Sequence, residues 1–243
     1  MQALRHLENQ RLIEARPKTG FFVARQPQEL PEPTPSRPPA TARYVGTPPL
    51  LREYIEALAT PDVVRLGAVV LEPSMFPAER ITRLLAAVAR KNPELAVTYH
   101  AYSSGAPELR RLIARRSLDS GVRISPDDVI VTGGCMEAIT LALRAVARPG
   151  DTVALESPTY FPLLQIIEGL GLKALEIPTH PRDGMSVDAF ELATRRAGAV
   201  RAALVMPTFS NPLGSSMPDE AKRRLVELCA ERDIPLIEDD VHG

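Results

Sequence analysis

Along most of the chain, apolar residues recur at helical spacing, and short apolar runs separate the later repeats. Leu50–Ala59, Ala78–Lys91, Pro107–Ser120, Met136–Ala147, Phe161–Leu170, Val187–Arg196 and Asp219–Arg232 place apolar side chains three and four apart, which predicts amphipathic helices. Val129–Thr132, Thr152–Glu156, Lys173–Ile177, Ala202–Met206 and Pro235–Glu238 read as strands, nearly continuous in apolar character. Strands of that kind alternating with helices predict an α/β fold: a mainly parallel sheet with helices on both faces.

The first 49 residues follow different patterns. Ala3, Leu4 and Leu7 share one helical face. Residues 11–16 and 20–23 read as two short strands, joined by the turn residues Pro17-Lys18-Thr19-Gly20. Arg5, Arg11, Arg16, Lys18 and Arg25 make residues 1–25 locally basic. In residues 26–49 stand eight of the chain's 24 prolines, a density that blocks helix and sheet and favours extended, solvated chain. Residues 1–25, 26–49 and 50–243 are therefore expected to be a small basic unit, a linker and an α/β domain.

Composition narrows the function classes. At 44% hydrophobic, 243 residues can bury a sizeable core. A net charge of −1 gives no global attraction to nucleic acid, so a DNA contact has to come from a local patch. Cys135 and Cys229 stand far apart and match no metal spacing, and the four histidines sit singly. No apolar run approaches the roughly 20 residues that span a bilayer, and the charged start has no secretory character, so a cytoplasmic protein with no membrane partner is expected.

In parallel α/β sheets, ligands sit at the carboxyl ends of the strands, and four strand exits carry distinctive residues. Thr132-Gly133-Gly134-Cys135-Met136-Glu137 turns tightly into a helix whose first N–H groups and dipole suit a phosphate, although many such turns bind nothing. Glu156-Ser157-Pro158-Thr159-Tyr160 sets an aromatic ring just past a strand, either to stack on a flat ligand or to pack beneath the next helix. Asn211-Pro212-Leu213-Gly214 holds an amide in a rigid turn. Ile237-Glu238-Asp239-Asp240-Val241-His242 ends an apolar strand in three acids. A buried carboxylate there is costly without a partner, and a pyridinium nitrogen is one such partner. A solvated acidic loop is the plainer alternative, and magnesium binding by the acids is another.

Taken together and in this order, the four exits resemble the fold-type-I aminotransferases, and the resemblance runs from about Leu50 to Gly243. Residues 1–24 resemble the end of a recognition helix and the wing of a GntR-type winged helix, through Leu4, Leu7-Glu8, Leu12-Ile13 and Arg16-Pro17-Lys18-Thr19-Gly20-Phe21-Phe22-Val23. Wing, linker and aminotransferase-like domain in one chain resemble the MocR-type regulators, in which a pyridoxal 5'-phosphate domain senses a ligand and controls DNA binding. The resemblance implies that backbone N–H groups of Gly134, Cys135 and Met136 hold the cofactor phosphate, that Tyr160 stacks on the ring, and that Asn211 bonds its phenolic oxygen. It further implies that Asp239 meets the ring nitrogen, that Tyr102 reaches a partner subunit's phosphate, and that Arg16 and Lys18 contact DNA. An amino-acid or amine effector and a homodimer are the implied partners.

Two features depart from the family's pattern. His242 stands where relatives usually carry a tyrosine, and imidazole can still donate to the phenolic oxygen. The lysines are Lys18, Lys91, Lys173 and Lys222, and none follows Asp239, whereas the family's Schiff-base lysine and carboxylate-clamping arginine lie downstream of that acid. The chain is accordingly expected to be a fragment that is inactive by itself, with Val129–Thr132 at one end of the sheet and an open edge beside Pro235–Glu238. A free-standing aminotransferase and a binding-only module are the competing readings.

Overall fold

The computed structural model describes residues 2–10, 12–24, 31–46, 50–60, 72–98, 104–196 and 198–242. The chain divides into two compact units, Met1–Thr34 and Pro35–Gly243, and the division falls within the proline-rich stretch.

The first unit begins with helix α1 (Gln2–Asn9), whose Leu4 and Leu7 are half-buried. The Leu12 N–H donates to the Leu7 carbonyl at 2.9 Å and so ties the helix to strand β1 (Ile13–Arg16). β1 pairs antiparallel with β2 (Gly20–Val23), with Arg16 opposite Gly20. The three-residue loop between them needs a left-handed residue, and Lys18 supplies it at φ 64°. The Arg16 guanidinium lies over the Phe22 ring, 4.8 Å from its centroid, and both Arg16 and Lys18 are exposed.

The second unit opens with strand β3 (Arg43–Tyr44), then helices α2 (Leu50–Ala59), α3 (Ala78–Lys91), α4 (Pro107–Ser117) and α5 (Cys135–Val146). Strand and helix then alternate: β4 (Thr152–Ser157), α6 (Phe161–Gly169), β5 (Lys173–His180), β6 (Gly184–Met185), α7 (Val187–Ala193), β7 (Ala202–Val205), α8 (Asp219–Glu231) and β8 (Leu236–Glu238). The order across the sheet is β3-β5-β4-β7-β8, with β6 hairpinned onto β5. The β5-β4-β7-β8 pairings are parallel, as expected, and β3 adds antiparallel at the β5 edge. Two core clusters cover the two faces. Ala154, Ile177, Phe190, Val205 and Leu225 belong to one, which α7 and α8 complete; Leu143, Val153, Leu155, Ile167 and Leu204 belong to the other, which α5 and α6 complete.

Two expectations need correction. Val129–Thr132 forms no ladder, because no neighbouring strand lies beside it among the described residues. Among the described residues the Val131 N–H donates to the Ser104 carbonyl at 2.8 Å, while Ile130 is 69% exposed. Gly105 makes this approach possible: a Cβ there would collide with the Val131 side chain.

The proline-rich stretch is not simply solvated chain. Ser36 docks at the carboxyl ends of β4 and β5. Its N–H donates to the Thr179 carbonyl at 3.1 Å, its hydroxyl donates to the Ser157 carbonyl, and the same oxygen accepts the Thr179 N–H at 2.9 Å. Further on, Arg43 pairs with Glu176 at 2.6 Å. Serine mimics a strand here, satisfying backbone groups that the ladder leaves open.

Replacing Ser36 by Ala leaves the Thr179 N–H without its acceptor next to a side chain that is 1% exposed. The expected cost is about 1–3 kcal/mol, read as a lower urea midpoint with unchanged slope. An unchanged midpoint would mean that this segment is not held to the sheet.

Candidate functional site

Three of the four exits meet around one core cluster. Cys135, Tyr160 and Ile237 all pack against the α5–α6 side of the sheet. Gly134 is the residue before α5, at φ 132° and ψ 171°, a conformation that a side chain would strain. A Cβ added at Gly134 would meet nothing within 4 Å, so the space before the helix is open. No side chain caps α5. The first-turn N–H groups of Cys135 and Met136 have no intrahelical acceptor and carry the positive end of the dipole.

The turn ahead of α5 is held in shape by two further contacts. The Thr132 hydroxyl donates to the Gly134 carbonyl at 3.0 Å. The Gly133 N–H donates to the Glu137 carboxylate at 2.5 Å, a bond that removes one of the free donors from the turn. Met136 is 37% exposed at the helix start.

Asp239 follows β8 and is 7% exposed, and its N–H donates to the Val205 carbonyl at 2.9 Å. The Cys135 thiol donates to Asp239 Oδ1 at 3.2 Å, which brings the first and fourth exits into direct contact. Burial raises the Cys135 thiol to about 11, and its hydrogen bond to Asp239 and that acid's charge push the same way. The thiol therefore stays protonated and serves as a donor rather than a nucleophile.

Tyr160 precedes α6, half-buried, with its ring 5.6 Å from that of Phe161. Asn211 is half-buried in a loop closed by the Ser210 N–H donating to Ser215 O at 2.9 Å and the Met217 N–H donating to Pro207 O at 2.9 Å. His242 is exposed in the turn after Asp239. Tyr102 lies outside the described residues. Among the described residues there is no group of acids, histidines and cysteines placed to hold a metal, and no helix long and apolar enough to cross a membrane.

A further buried acid, Glu156, belongs to the same end of the sheet. It is the penultimate residue of β4, is 2% exposed, and accepts the Met206 N–H through Oε2 at 2.9 Å, while its other oxygen, Oε1, is buried with no partner among the described residues. The available signal was the one used for Asp239, an acid at the end of an apolar strand. Burial pushes the Glu156 carboxyl up to about 7 from an ordinary 4.5; the Met206 N–H pulls it down, and the charge of Asp239 pushes it up again.

These residues fit pyridoxal phosphate. An uncapped helix start before open space suits its phosphate, a buried acid among apolar side chains suits its ring nitrogen, and a half-buried ring stands at the neighbouring exit.

A raised folded-state value favours the native state at low pH. The contribution of Glu156 is full below about 4.5 and is lost as pH rises toward about 7, a change of about 3 kcal/mol. Glu156→Gln should remove this fall, so that the variant gains stability relative to the parent between pH 5 and pH 8. Parallel stability curves across that range would show that Glu156 ionises freely.

Comparison with known proteins places the fold in a family. Residues 76–243 match the family described as aminotransferase class I and II. The uncharacterized HTH-type transcriptional regulator YjiR of Escherichia coli K12 is 38% identical over 100% of this chain and 51% of its own length. YdcR, another such regulator from the same organism, is 36% identical over 98% of the chain and 50% of its own length. The chain thus spans about half the length of these curated relatives. Among solved structures, α-aminoadipate aminotransferase LysN of Thermus thermophilus is 30% identical with a TM-score of 0.63. The match covers 71% of this chain and 42% of that one, and LysN was crystallised with N-(5'-phosphopyridoxyl)-L-leucine. With the family model covering residues 76–243, the chain belongs to the class I and II aminotransferase family.

Proposed function

We propose that this chain is the central part of a MocR-type transcription regulator: a wing that contacts DNA, a linker, and a pyridoxal-phosphate-binding domain that senses an amino acid or amine. The observation that carries the reading is the Cys135–Asp239 contact, which joins a phosphate-type helix start to a buried acid. The wing-like hairpin and the match to YjiR along the whole chain favour a regulator over a free-standing aminotransferase.

Within this reading the N–H groups of Gly134, Cys135 and Met136 hold the phosphate and Tyr160 flanks the ring. Asn211 and His242 serve the phenolic oxygen, Tyr102 serves a partner subunit's phosphate, and Asp239 holds the proton on the ring nitrogen. Bound in this way, the cofactor supplies an electron-withdrawing ring. The Cys135 thiol donates to Asp239 beside that site. The exposed apolar side chains of Ile81, Leu84, Leu85 and Val88 on α3 support a homodimer, since such faces mark association surfaces. A cytoplasmic location follows from DNA as the partner.

On DNA, the exposed Arg16 and the left-handed Lys18 present two cations at the hairpin tip, suited to phosphate or minor-groove contact. In the full-length protein, Arg16→Ala with Lys18→Ala should weaken operator binding and lower the salt slope by about two ions. Fluorescence anisotropy at several salt concentrations measures both. Unchanged affinity and slope would overturn the assignment of the hairpin as a wing.

A further inference from the structure

Glu156 presents a problem that the cofactor site does not by itself resolve. An ionised carboxylate buried without a partner for one oxygen is expensive. Glu156 has one fixed oxygen and one that is buried and unpaired among the described residues. Across the end of β7, whose Met206 N–H it accepts, lies the Asp239 exit, and the charge of Asp239 reaches it. The Asp239 N–H bonds to Val205 O, one residue before the Met206 N–H that Glu156 accepts, so the two acids flank the same strand end, and the charge of Asp239 favours the proton on Glu156.

We propose that Glu156 is a positioning residue for Asp239, a second buried acid that sets how much negative charge the cofactor's ring nitrogen meets as pH changes. This rests on the pyridoxal-phosphate reading above. At low pH Glu156 is neutral, and Asp239 alone faces the ring nitrogen. As pH rises through about 7, Glu156 releases its proton to solvent, and a second negative charge then stands behind Asp239. A pyridinium cation is held more tightly by two anions than by one. By reciprocity, a bound pyridinium favours the ionised form of Glu156.

The other titratable groups on the neighbouring elements leave this arrangement in place. On α5, Cys135 remains a protonated thiol bound to Asp239. On β5, Glu176 is occupied by Arg43 and by the Ser157 hydroxyl at 3.0 Å. From β7 the contact to Glu156 is the Met206 backbone N–H. After β8, Asp240 is exposed.

The test compares pyridoxal phosphate affinity of the full-length protein and its Glu156→Gln variant by fluorescence titration from pH 6 to pH 8.5. Gln keeps an acceptor for the Met206 N–H and cannot ionise. The expected result is equal affinity at pH 6 and binding roughly 3- to 10-fold weaker in the variant at pH 8.5, a size typical of one nearby charge. The cofactor's own titrations are common to both proteins and cancel in the ratio. A ratio that stays flat across the range overturns the proposal while leaving the cofactor site intact. Failure of both proteins to bind pyridoxal phosphate at any pH overturns the functional reading and this inference with it. Should the variant not fold, infrared titration of the unmodified protein decides: a buried carboxyl band that disappears near neutral pH is expected, and its absence refutes the proposal.

Discussion

A carboxylate at the end of a buried strand must find a positive partner, accept a hydrogen bond or keep its proton, because an unpaired charge in that setting costs several kcal/mol. This constraint organises the site. Apolar runs carry β4 and β7 through the core, and a buried acid stands near the carboxyl end of β4 (Glu156) and just past β8 (Asp239). Glu156 meets the constraint with the Met206 N–H and a retained proton, and Asp239 meets it with the Cys135 thiol. Neither partner is a cation. In the proposed reading the cofactor's ring nitrogen supplies that positive group, and α5 starts nearby with no side-chain cap, which suits an attached anion. A molecule with a cationic ring nitrogen and a phosphate satisfies both ends.

The same end of the sheet receives the proline-rich segment. Ser36 bonds to Ser157 and Thr179, and Ser157 opens the turn that leads to Tyr160. Arg43 adds a second hold through Glu176, which also accepts from the Ser157 hydroxyl. The segment following Thr34 is thus tied to the exit that carries the candidate stacking ring.

Much of this was legible in the sequence, for reasons that can be named. Helical periodicity located α2 and α3 to the residue, because both carry an uninterrupted apolar stripe. The four parallel strands β4, β5, β7 and β8 were visible as apolar runs, as strands of a parallel sheet covered on both faces are. The predicted helix from Val187 ends early at Ala193, where the buried Thr194 hydroxyl bonds back to the Phe190 carbonyl. Val129–Thr132 was misread because local apolarity does not supply a pairing partner. β3 was missed because its strand character comes entirely from β5 beside it. Asp239 and Gly134 stood out through residue type and position, whereas the proton on Glu156 depends on three-dimensional burial and on an acid 83 positions away.

The central claim is that Asp239 is the acid that holds the ring nitrogen. The most direct measurement is the nitrogen-15 chemical shift of pyridoxal phosphate, labelled at the ring nitrogen and bound to the full-length protein and to its Asp239→Asn variant. The account predicts a protonated pyridinium shift in the parent and a neutral pyridine shift in the variant. A neutral nitrogen in the parent, or the same shift in both proteins, would contradict it.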